Sequence, residues 1–183
     1  MDFNEFKKQL TLSTKQAFLE IYNQNPNEEI YSFALCNNDS KISIHPSSNS
    51  LEYFKEVSDD DDFYYYKYEP SEWKYEYKGA EELFNAINDN CKLIVEKHDD
   101  DEDWFYNFQQ QINKKCIEVL EELKNEEFFR KETGKEIFLN FSVIDEDLNK
   151  ERQKAIIQKL NDNHYKDDYL DWMKSWDKRR KVL

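Results

Sequence analysis

Between residues 64 and 77 the chain reads YYYKYEPSEWKYEY. Six tyrosines and one tryptophan share these fourteen positions, with charges threaded between them. Rings of this size bury about 150–250 Å² each, so any fold must set another element against them or turn them toward a partner. Aromatic residues make up 16% of the 183-residue chain, whereas disordered segments are poor in aromatics. The chain should therefore fold, despite being 36% charged, around a core rich in Phe, Tyr and Trp. This length most simply means one domain, 1–183.

Within the segment, 63–68 alternates as a strand would. Tyr64, Tyr66 and Tyr68 share one face, and Phe63, Tyr65 and Lys67 share the other. Pro70 stops this element and pushes Glu69 toward extended geometry. Ser71 is placed to cap a turn. Beyond it, Trp73, Tyr75 and Tyr77 alternate with Lys74, Glu76 and Lys78, while Trp73 and Tyr77 also sit four apart. The reading over 71–78 is a turn followed by a short extended piece.

The rest of the chain supplies elements to cover these rings. Phe3, Phe6, Leu10, Ala17, Phe18 and Ile21 recur at helical spacing until Pro26. IYSFALCNN (30–38) and KISIHP (41–46) read as two strands of a hairpin around an Asn-Asn-Asp-Ser loop. A short helix over 49–57 would be capped by Asn49 or Ser50. Two longer helices carry the stripes Leu83, Ile87, Cys91, Ile94 and Phe105, Phe108, Ile112, Cys116, Val119, Leu123. The acidic run Asp99–Asp103 lies at the N-terminus of the second, where it suits the helix dipole. Thr133 and Gly134 mark a turn before EIFLNFSV (136–143), a strand. Asp145 or Asp147 would cap the helix holding Ile156, Ile157 and Leu160. A final helix, 166–180, carries Tyr169, Trp172, Met173 and Trp176 and ends in KRRK (178–181). Irregular interleaving with a hairpin start gives α+β: an antiparallel or mixed sheet of about four or five strands covered by helices.

Charge and composition exclude several functions. The net charge of −14 repels phosphate backbones and anionic membrane surfaces, and is complementary to a basic protein. Two glycines, Gly79 and Gly134, are too few for a phosphate-cradling loop or a dinucleotide fingerprint. Cys36, Cys91 and Cys116 have no metal-ligand spacing, and no disulfide framework is expected. Of the histidines, His45 lies near the serines of 47–50, but no glycine-flanked nucleophile elbow surrounds them. His98 adjoins an acidic run that lacks the spacing of a calcium loop. No signal peptide or membrane span is visible, which reads as cytoplasmic. The expectation is a non-enzymatic protein without metal or cofactor. Exposed Tyr65, Tyr75 and Trp176 would anchor a basic protein partner, and Asp59, Asp60, Asp61 and Asp62 would add acidic charge to that face.

YSFALCNN (31–38) together with YYKYEPSEWKYE (65–76) resembles a bacterial family known only as a domain of unknown function. Tyr66, Tyr68, Pro70, Glu72, Trp73, Tyr75 and Glu76 match its Tyr-x-(Trp/Tyr)-Ser-Pro-Ala-Glu-Trp-x-Tyr-Glu-like motif. Glu69 and Ser71 stand where the family often has Ser and Ala. The resemblance covers 3–160, and the aromatic and basic tail, 163–183, is unlike the family. It carries over no catalytic activity. It implies an association with immunity proteins encoded beside bacterial toxins. The alternative is a small-ligand protein or enzyme with a pocket bordered by Tyr66, Tyr68, Glu72 and Trp73.

Overall fold

The computed structural model describes residues 1–38, 40–58, 62–98, 101–144 and 149–176. Helix α1 (Phe3–Gln24) opens on Asp2, whose carboxylate accepts the N–H groups of Asn4 and Glu5. Its buried stripe, Phe6, Leu10, Ala17, Phe18 and Ile21, follows the spacing read from the sequence. Strand β1 (Ile30–Asn38) is buried from Ile30 through Asn37. A run that is apolar at nearly every position, without alternation, fits a strand covered on both faces.

The second strand is not where alternation placed it. Ile42 and Ile44 are buried in a loop, and β2 is His45–Ser50, antiparallel to β1. The loop is held by Asn88, whose side-chain amide accepts from Ile44 N–H and donates to Ile44 C=O, both at 2.8 Å. Pro46 is tolerated in β2 because its C=O points away from β1, toward Tyr77 N–H at 3.0 Å. The missing N–H therefore falls on the outer edge, where it breaks no ladder bond. Ser48 Oγ donates to Ser32 C=O at 2.6 Å, so a strand of small polar residues is still bonded inside the protein.

Strand β3 (Phe138–Ile144) pairs with β1 in parallel, giving the order β2-β1-β3. Three strands are therefore formed among the described residues, rather than four or five. The missing one is 63–68, which is a short helix, α3 (Phe63–Tyr68). Strand propensity needs a free sheet edge to act on, and both edges are occupied. Tyr75 and Tyr77 donate their N–H groups to Ser48 and Pro46 on the outer side of β2. Asn161 clamps the outer side of β3, accepting from Leu139 N–H at 2.9 Å and donating to its C=O at 2.8 Å. As a helix, 63–68 bonds its backbone internally and stacks Tyr64 on Tyr68, four positions apart.

Helices cover both faces of the sheet. Phe33, Leu35, Leu139 and Phe141 face a larger core with α1, α4 (Glu81–Val95), α5 (Glu102–Asn125) and α6 (Phe128–Thr133). Helix α6 has no stripe in the sequence; Phe129 sets its ring edge-on to Phe18 at 4.9 Å, and Gly134 ends it with φ +74°. Tyr31, Ala34, Cys36 and Phe138 face a smaller, more aromatic core with Phe54 of α2 (Leu51–Val57), Tyr68 of α3, Trp73, and Tyr165, Tyr169, Trp172 and Met173 of α8 (His164–Met173). A bulge at Ile30–Ser32 shifts the register there and reverses the alternation, so Tyr31 lies in the smaller core whereas Phe33 and Leu35, two and four positions on, lie in the larger one. Helix α7 (Lys150–Leu160) contributes Ile156 and Leu160 to one core and Ile157 to the other. Its N-cap is Asn149; Asp145 and Asp147 lie outside the described residues. Helix α8 begins at His164, two residues before the expected start, and the KRRK segment lies outside the described residues. All three cysteines are free and buried.

Candidate functional site

The aromatic segment packs its middle and opens at one end. Tyr68 and Trp73 are 1% and 3% exposed, and both pack on Phe138. Pro70 is buried, and its C=O accepts from Ser47 Oγ at 2.8 Å. Tyr66 is partly buried, with its C=O facing the Asn49 amide at 3.4 Å. Tyr75 is partly buried and donates its hydroxyl to Glu28 at 2.9 Å, away from the other candidate anchors. Phe63, Tyr64 and Tyr65 form an exposed row on α3. Asp62, just before them, is exposed, and Asp59, Asp60 and Asp61 lie outside the described residues.

Helix α3 is tied to α8 by a single carboxylate. Asp168 accepts from Lys67 Nζ at 2.5 Å and from the Tyr68 hydroxyl at 2.7 Å. Burial works against its charge, but these bonds and the lysine charge outweigh it and hold its carboxyl below the usual range. Aromatic packing through the buried Trp172 also joins the two helices. Tyr64 stacks over Trp172, and Trp172 meets Trp176 edge-on at 5.1 Å.

Between α3, α7, α8 and the end of β3 lies an open groove of about 270 Å³. Tyr65, Tyr169, Trp172 and Trp176 form its aromatic walls, and Asn140, Ser142 and Gln153 its polar floor. Phe138, Asn140 and Ser142 share one face of β3 by alternation, so that face turns from apolar to polar where the groove opens. Gln153 donates to Asn140 at 2.8 Å and is also hydrogen-bonded to the Tyr169 hydroxyl. Trp172 is 8% exposed, and its indole N–H has no acceptor.

Glu69 completes the groove. Burial pushes its carboxyl up to about 7; the Ser71 N–H opposes this, and the charges of Glu72 and Glu76 reinforce it. Behind Glu76 sits His45, 4% exposed and stacked on Tyr77 at 3.6 Å. Its Nδ1 lies 3.2 Å from Ser43 C=O, which assigns the proton to that nitrogen, and its Nε2 is 3.6 Å from Glu76 Oε1. Burial lowers the imidazole to about 4, against the Ser43 bond, so His45 is neutral at pH 7.

Of the candidate anchors, Tyr65 and Trp176 meet at the groove and Tyr75 does not. Of the motif residues, Tyr68, Pro70 and Trp73 are buried, while Glu72 and Glu76 act on the groove through their charge on Glu69. Sequence reading passed over Glu69, Asn140, Ser142 and Gln153. The signal for two of them was present: Asn140 and Ser142 are polar positions two apart within an otherwise apolar strand. Among the described residues, no group of three or more His, Cys, Asp or Glu side chains could hold a metal ion, and no helix is long and apolar enough to cross a membrane.

Glu69 and His45 titrate in opposite senses, which predicts a pH test. For His45 the folded pKa lies below the ordinary 6.5. The unfolded chain therefore binds the extra proton, and stability present above pH 6.5 is lost toward pH 4, by about 3 kcal/mol. For Glu69 the folded pKa lies above the ordinary 4.5, so its contribution is full below pH 4.5 and is lost as pH rises through about 7. The two slopes oppose each other in wild type. Urea midpoints against pH should fall more steeply toward acid in Glu69→Gln and less steeply in His45→Phe. Curves parallel to wild type in both variants would contradict these assignments.

The elements describe a small α+β protein with a mixed three-stranded sheet and one aromatic groove beside its parallel strand pair. A family model described as a domain of unknown function (DUF4303) matches residues 10–162, and the chain belongs to that family. No curated protein and no solved structure matches the chain. The family match ends before α8, the helix that carries Tyr169 and Trp172 into the groove.

Proposed function

We propose that this protein is a non-catalytic binding module for a basic protein, with the α3–α8 surface as its recognition face. The carrying observation is the exposed row Phe63, Tyr64 and Tyr65 beside a groove that also contains Trp176, on a chain of net charge −14. Stiff aromatic anchors next to acidic charge are what such an interface uses: rings supply affinity, and charge speeds encounter. An immunity-type role, masking a basic toxin domain, is the specific form that the family resemblance implies. A cytoplasmic setting goes with that role.

The rival is a small-molecule or enzyme site, and the Glu69 carboxyl near neutrality among convergent polar groups is the observation that favours it. One fact weighs against it: the proposed borders Tyr68 and Trp73 are closed into the core.

Capture from the native source, followed by kinetics with the purified captured protein, tests the proposal. A one-to-one complex with a basic protein, whose association rate falls as salt rises, is expected. An association rate indifferent to salt would remove the electrostatic part of the reading.

A further inference from the structure

Three ring planes meet nearly at right angles in the groove wall. Trp172 and Trp176 are inclined by 88°, Tyr169 and Trp172 by 88°, and Tyr169 and Trp176 by 78°. Tyr169 and Trp172, 3% and 8% exposed, form the closed back of this wall, and the partly buried Trp176 and the exposed Tyr65 are its more open rings. An aromatic ring face carries negative electrostatic potential and attracts a cation. Glu69 adds a carboxylate, and among the described residues that line the groove there is no lysine or arginine. Asp168 is different: the same α3–α8 junction already supplies Lys67 to it. The larger hollow between α7 and α8, about 430 Å³, is lined by lysines as well as carboxylates, among them Lys150, Lys154 and Lys174, and has no aromatic side chain among its lining residues.

We infer that the groove is a guanidinium pocket, in which Tyr65, Tyr169, Trp172, Trp176 and the Glu69 carboxylate receive one arginine side chain of the partner. The inference rests on reading the chain as a binder of a basic protein, and it names the chemistry of the central contact. Arginine fits better than lysine on two counts. Its planar head stacks on aromatic faces, and it is less strongly hydrated than an ammonium, so entering a partly buried groove costs less. The floor of Asn140, Ser142 and Gln153 offers oxygen acceptors for the remaining guanidinium N–H groups. The aromatic walls Tyr169, Trp172 and Trp176 all lie beyond the family-matched segment, whereas Glu69 and the floor lie within it.

The geometry implies proton linkage. Among the described residues, Tyr65 of α3, Glu72 and Glu76 of the following turns, Cys36 of β1 and Tyr169 of α8 are the titratable groups that interact with Glu69. None of them is a cation at neutral pH. An arriving guanidinium therefore drives Glu69 to ionise, and affinity should rise as pH increases through about 7.

The test uses the full chain and a probe that needs no partner. N-acetyl-arginine amide is titrated while tryptophan fluorescence and the indole N–H resonances are followed. N-acetyl-citrulline amide, of the same shape without the charge, serves as the control. The expected result is saturable perturbation of Trp172 and Trp176 by the arginine probe, tighter at pH 8 than at pH 6, with the citrulline probe about tenfold weaker. Glu69→Gln should abolish the pH dependence of binding and raise the unfolding midpoint at pH 8, where it removes a buried charge; Trp176→Ala should weaken binding in a variant that circular dichroism shows to be folded at the assay temperature. No saturable perturbation, or equal binding of the two probes, overturns the pocket. If a basic protein binds at α3 and α8 but the arginine probe does not, the pocket falls and the binding module stands. If the arginine probe binds but no basic partner exists, the pocket stands and the proposed function falls.

Discussion

Trp73→Ala should destabilise the protein by about 3–5 kcal/mol, the range for deleting a large buried aromatic side chain. Trp73 is 3% exposed in the smaller core and meets Phe138 edge-on at 6.3 Å. Its indole N–H has no acceptor, so the loss comes from packing and from the cavity left behind, not from a broken hydrogen bond. For a chain of this length the melting temperature should fall by about 6–20 °C. Tyr65→Ala, at a residue 39% exposed, should change stability by only about 0.5 kcal/mol. The contrast separates two uses of one aromatic segment: Trp73 holds the fold, and Tyr65 faces outward. A Trp73→Ala variant as stable as wild type would mean that the motif tryptophan does not anchor the sheet.

Gly79→Ala should cost about 3 kcal/mol, again read as a fall in the thermal or urea midpoint. Gly79 has φ +86°, a backbone state that costs an L-residue about 1–2 kcal/mol. A Cβ there would lie 2.6 Å from the Ala17 carbonyl oxygen and 2.9 Å from Ala17 Cα. Both are backbone atoms of α1, which cannot rotate away, so overpacking adds about 1–3 kcal/mol. The turn around it is demanding in other ways. Tyr77 and Ala80 also have positive φ, and Glu20 of α1 accepts the Ala80 N–H at 2.7 Å. The chain must leave the β2 edge, graze α1 and start α4 within a few residues. A midpoint shift of less than about 1 kcal/mol would show that α1 yields there.

The helices were legible wherever their apolar spacing was regular. The α1 stripe and the α5 stripe from Phe108 to Leu123 read the same in sequence and structure. β1 and β3 were legible because short apolar runs between turn residues have few other uses. What failed was decided by tertiary contacts. HPSSNS carries no strand signal, yet it forms β2 because β1 offers an edge and Ser48 and Asn49 can bond to Ser32. FYYYKY carries a strong strand signal, yet it forms α3 because no edge is left to it. The groove was half legible. Tyr65 and Trp176 were named as anchors from exposure-prone aromatic positions, but nothing local shows that residues 65, 69, 140, 153 and 176 converge. That convergence depends on Asp168 fastening α8 to Lys67 and Tyr68, about a hundred positions apart in the chain.

The most direct test of the binding face is hydrogen exchange of the protein alone and in complex with its captured, purified basic partner. The account predicts that new protection concentrates in 63–69 and 164–176, and that Trp176→Ala both weakens the complex and erases that protection. Protection confined to the outer faces of α1 and α4, with α3 and α8 exchanging as in the free protein, would contradict it.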